Sequence, residues 1–149
     1  MSDTLTQFGT SFQTKIIASL MSDIKFLQTI SDILQPSMFD SDSNSWLVKS
    51  IRDYYYQYKK QPTLEVIKFK VDEIDSDVLK SGVVEKIRDV WKNVESTDLE
   101  FVQSETLEFC KNQTLKKAIL DSVDMLENRN YDGIKSIIDE AMKAGLELS

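Results

Sequence analysis

A chain of 149 residues with 41% hydrophobic content is long enough to bury a core without covalent staples and too apolar to remain disordered. Its formal charge of −7 and isoelectric point near 4.6 repel a phosphate backbone, which argues for little or no direct DNA binding. The complete absence of histidine removes the usual general base and the commonest metal ligand, so Ser-His triads and histidine-rich metal sites are excluded.

Only four glycines and two prolines punctuate the chain, which points to an all-α fold. Cys110 is the single cysteine, so no intrachain disulfide can form. It sits beside Phe109 in an apolar helical stretch and reads as a packed core thiol. No cleavable signal and no run of bilayer-spanning length is visible, so the expected location is a reducing cytoplasm, that of the host if the gene is carried by a phage, with no membrane partner.

From the N-terminus, Ser11 is placed to cap a first helix with Phe12, Ile16, Ile17, Leu20 and Met21 on one side. Ser22 or Asp23 restarts the chain. Ile24, Leu27, Ile30 and Leu34 form the next stripe, which Pro36 is expected to end. An acidic loop, 39–45, follows. The helix after it carries Trp46 or Leu47, Ile51, Tyr54, Tyr55 and Tyr58 on a wide apolar face, with Asp42 and Ser43 as its capping cluster. Tyr54 and Tyr55 fall on the buried stripe and Tyr56 points elsewhere, which favours core packing over base stacking.

At Gln61, Pro62 and Thr63 one helix stops and another starts, because proline cannot continue the first and Thr63 can cap the second through the amides of Glu65 or Val66. The second runs to about Ile74. Asp75, Ser76 and Asp77 then open a helix whose inner face holds Leu79, Val83, Ile87, Val90, Trp91 and Val94. Thr97 and Glu100 have the spacing of a capping box, and a long helix runs from there to about Glu127. Residues 128–133 read as a tight turn, and a last helix carrying Ile134, Ile137, Ile138, Ala141 and Met142 ends at Gly145.

The expected organisation is a compact multi-helix head over 1–96 followed by a long antiparallel helical hairpin over 97–145, with 146–149 at the start of a linker or at a cut end. Such a hairpin has too few layers to cover itself. Leu115, Ala118, Ile119, Val123 and Leu126 on one arm, and Ile134, Ile138 and Met142 on the other, are the expected self-association residues. In the alternative arrangement the hairpin folds back on the head.

No catalytic, cofactor or metal site is legible. The glycines never gather into a phosphate-cradling loop. Asp40, Asp42 and Asn44 match the first three ligand positions of a calcium-binding loop, but Ser45 stands where that loop needs glycine and Ile51 where it needs a bidentate acid. Asp72, Glu73, Asp75 and Asp77 read as a solvated corner between helices, and Lys59, Lys60, Lys68 and Lys70 as solvated helix faces.

Taken together, the segment 12–21, the aspartate before the helix 26–34, Met38 and Phe39, the helix 46–58, the start at Pro62 and Thr63, and the stretch 107–120 resemble the N-terminal domain of DnaB-type replicative DNA helicases, most closely the version carried by T-even-like tailed phages. Many such domains carry a histidine where this chain has Trp46. The resemblance implies a non-catalytic head and hairpin that pair between subunits into dimers, building a collar on a hexameric ring where primase and a helicase loader dock. ATP, magnesium and unwinding would belong to a following motor domain absent from these 149 residues. The alternative is a small helical phage adaptor or regulatory protein acting by itself.

Overall fold

The computed structural model describes residues 3–145, and among them the chain is all helical, with no strand. Seven α-helices succeed one another: α1 (Thr10–Ser22), α2 (Ile24–Ile30), α3 (Asp42–Tyr58), α4 (Leu64–Asp72), α5 (Asp77–Lys92), α6 (Leu99–Glu127) and α7 (Tyr131–Lys143). Short 3-10 turns at Leu5–Phe8 and Pro36–Met38 fill two of the connections.

At the centre lies α1, packed by α2, α3, α5 and α6. Instead of one apolar stripe it is buried almost all round, with Gln13, Thr14, Ala18 and Ser19 covered as fully as Ile16, Ile17 and Leu20. Small residues let neighbouring helices approach closely; of the two buried hydroxyls that come with them, Thr14 Oγ1 donates to the Thr10 carbonyl at 3.1 Å and Ser19 Oγ has no hydrogen-bond partner. Ser11 does not cap this helix. Gly9 precedes it with φ of +85°, a conformation that only glycine adopts readily, and no side chain caps the end.

Elsewhere the cap chemistry explains the helix starts. Asp23 accepts from the amides of Lys25 and Phe26, Thr63 from Val66 and Ser76 from Leu79. Three expectations shift. Helix α2 ends at Ile30, six residues before Pro36, and Pro36 instead opens a 3-10 turn. Helix α3 begins at Asp42, inside the supposed acidic loop, because Ser41 and not Asp42 or Ser43 accepts from the Asn44 amide. Thr97 forms no capping box. Asp98 occupies the cap position of α6 without a side-chain cap bond, its carboxylate taken by Lys15 of α1 at 2.7 Å.

The head's core continues across the junction at 96 and 97. Val102, Phe109 and Cys110 of α6 are buried with Leu5, Ile16, Ile30 and Ile51, so the first half of α6 is a wall of the head. Burial drives the Cys110 thiol up to about 12 by desolvation, with Met38 Sδ 4.0 Å away. Beyond Cys110 the helix runs out alongside α7, still tied to the head by the Lys116–Asp3 ion pair at 3.0 Å. Three residues join the two helices: Arg129 adopts φ of +56°, and Asn130 caps α7 through the Gly133 amide at 3.0 Å. Gly133 therefore lies inside the first turn of α7 and not in the loop. A Cβ there would meet the Asn130 side chain at 2.4 Å.

Candidate interaction surface

The hairpin is closed along a seam of alanines and half-buried isoleucines. Ala118 of α6 is 4% exposed and Ala141 of α7 is 9% exposed, with Ile134, Ile137 and Ile138 partly covered between the arms. Leu115 is likewise half-buried. Alanine at both seam positions lets the helices approach closely, which is how a two-helix layer obtains burial without a third element.

Two different faces flank that seam. Lys117 and Glu140, each one residue before a seam alanine, line a mixed cleft of about 550 Å³ between the hairpin and α2, together with Gln28, Asp32, Asp121, Ile33 and Ile137. Ile119 and Met142, each one residue after a seam alanine, are rotated by about 100° in the opposite sense. Because the helices run antiparallel, the same rotation in each brings both residues to one side, the side away from α2. Val123 and Leu126 follow Ile119 at helical spacing, and Tyr131 precedes Met142 at the far end. All of these are at least half exposed, from 50% for Val123 to 63% for Tyr131. One face of the hairpin is thus turned towards the head and carries its charged residues beside apolar ones, Leu120 among them at 61% exposure, and the other is apolar and uncovered.

Of the eight residues expected to self-associate, Ile119, Val123, Leu126 and Met142 lie on the uncovered face. Leu115, Ile134 and Ile138 share themselves between face and seam, and Ala118 lies wholly within the seam. The pattern also missed contributors. Tyr131 was hidden by its position in an apparent loop. Phe101, 61% exposed, sits 18 residues before Ile119, which is five full turns along the same line of α6. At the opposite end the hairpin returns to the head: Ala144 packs against the core, and a Cβ on Gly145 would come within 2.8 Å of Ile33 Cδ1 and 3.0 Å of Leu107 Cδ1. Gly145 has φ of +76°, the left-handed geometry of a residue just past a helix end.

The other groups weighed from the sequence have local roles. Asp40 closes the N-terminal turn: Thr6 Oγ1 donates to one carboxylate oxygen, and buried Gln13 donates to the other at 2.8 Å. Those two hydrogen bonds, Thr6 first, hold its carboxyl below the ordinary aspartate range. Among the described residues no group of three or more acidic, cysteine or histidine side chains is arranged to hold a metal. Tyr56 donates its hydroxyl towards the Ser31 carbonyl at 2.9 Å and Asp32 at 3.0 Å, and desolvation ahead of the Asp32 contact raises its pKa. Tyr58, expected on the buried face, is instead 52% exposed and lies against Tyr54 with ring centroids 4.5 Å apart and the ring planes tilted by 40°. No described helix is long and apolar enough to cross a membrane.

No protein-family model, curated protein or solved structure gives a match to this chain.

Proposed function

We propose that this chain is a non-catalytic assembly module that pairs with a second copy of itself through the outer face of the α6–α7 hairpin. The observation that carries this reading is the one-sided exposure of Ile119, Val123, Leu126, Tyr131 and Met142 beside a seam already closed. An isolated two-helix projection gains nothing by keeping these side chains in water, whereas a two-fold partner covers each of them once on either side.

Joined to the sequence resemblance, the reading becomes more specific. The module would be the collar domain of a hexameric replicative helicase, with dimers building the ring, primase and a loader docking on the collar, and ATP hydrolysis in a separate motor. The test of pairing is sedimentation velocity over a hundredfold range of protein concentration. A rise in mass towards the dimer is expected, and a strict monomer throughout removes the assembly role. The helicase assignment is tested separately by reading the gene past the Ser149 codon. A Gly-x-x-x-x-Gly-Lys-Ser/Thr sequence in frame supports it, and an immediate stop codon favours the stand-alone adaptor.

A further inference from the structure

A second uncovered apolar surface lies on the head, between α4 and α5. It is a groove of about 510 Å³ whose lining includes Leu64, Val71, Val84 and Ile87, with Trp91 at one end. Trp91 is 47% exposed and Val84 is 38% exposed, so the indole turns one face to the core side, beside Ile17 and Ile67, and leaves the other open. Two cations stand over this lining from opposite walls, Lys68 on α4 and Arg88 on α5. Among the described residues neither makes an ion pair, although the chain carries seven more acids than bases. Five lysines, on α1, α3, α6 and α7, pair with aspartates, and Lys68 and Arg88 are among the cations left free to pair with a partner.

The geometry points to the α4–α5 groove as a docking site for an amphipathic helix of a partner protein whose apolar residues seat against Trp91 and Val84 and whose acidic residues pair with Lys68 and Arg88. Aliphatic walls with one aromatic end fit the i, i+3, i+4, i+7 anchors of a helix, and unpaired cations at the rim select its charge. A nucleic-acid strand fits less well. Half of the lining is aliphatic, and it offers a single ring where a strand would stack successive bases on several. This site is remote in sequence from the hairpin face and does not depend on the pairing proposed above.

The test is selection of 16-residue peptides from a displayed random library against the full chain, followed by titration of the enriched peptides with tryptophan emission as readout. Acidic peptides with apolar residues at helical spacing are expected to emerge and to shift the emission of Trp91 to the blue, a change absent in Trp91→Phe. The double variant Lys68→Glu with Arg88→Glu alters two exposed side chains and is expected to keep its circular dichroism while weakening these peptides at least about tenfold. Enrichment of basic peptides, enrichment insensitive to the double variant, no enrichment at all, or tighter binding of a single-stranded oligothymidylate at the same tryptophan each overturns the proposal.

Discussion

Replacing Ile119 with aspartate separates the hairpin's outer face from its seam. The side chain is 53% exposed in the monomer. Full burial of an isoleucine is worth about 1.5 to 3 kcal/mol, so covering the exposed half contributes about 0.8 to 1.5 kcal/mol. In a two-fold interface each chain supplies one copy, which doubles the term to about 1.5 to 3 kcal/mol and weakens dimerisation roughly 10- to 150-fold before charge repulsion is added. The cost to the monomer is much smaller, because Ala118 and Ala141 keep the seam and the head core ends at Cys110. A loss of about 1 kcal/mol lowers the melting temperature of a chain this size by roughly 2 to 4 °C. Sedimentation equilibrium of wild type and Ile119→Asp gives the two dissociation constants, and thermal circular dichroism gives the monomer cost. If Ile119→Asp associates as strongly as wild type, the outer face is not the pairing surface. If it loses its folding transition, the face belongs to the core and the separation drawn here is wrong.

Other expectations follow from the same geometry. Ala118→Leu should instead damage the seam, destabilising the hairpin by about 1 to 3 kcal/mol in urea denaturation, because the two helices have no room for a larger side chain where Ala118 is 4% exposed. Gln13→Ala removes two donated hydrogen bonds, to the Leu5 carbonyl and Asp40, and the one it accepts from the Asp40 amide. It should cost about 3 to 4 kcal/mol in the same assay, with a cost below 1 kcal/mol refuting the bonding role. Because the carboxyl of Asp40 titrates lower in the folded chain than its unfolded value of 3.8, its stabilising effect is complete above that value and fades as pH falls through the folded pKa. The stability gap between wild type and Asp40→Asn should therefore be flat at neutral pH and close in acid, as followed by denaturation at a series of pH values. Cys110, buried with its thiol pushed up to about 12, should react with a thiol reagent only at the rate of unfolding; fast labelling of the native chain would contradict the packing described.

The sequence by itself determined the helical class, the order of the helices and the caps of α2, α4 and α5, because hydrophobic spacing and cap residues act over four or five neighbours. Asp23, Thr63, Ser76 and Gly145 illustrate this: each does its work within one turn of itself. The apolar stripes of α6 and α7 were legible for the same reason, since a stripe at helical spacing is a local property. What local spacing cannot carry is which side of a stripe meets another element. Ala118 and Ile119 are adjacent in the chain, yet one closes the seam and the other faces water, and only the antiparallel approach of α7 separates them. Asp98 shows the same limit, giving its carboxylate to Lys15, 83 residues away, instead of capping its own helix. Tertiary packing likewise made α1 a buried axis, carried the head core past residue 97 into α6, and left Trp91 of α5, written in an apolar pattern, 47% exposed at the α4–α5 groove. Burial and charge pairing are settled by neighbours in space, and those neighbours are fixed only when the whole chain has folded.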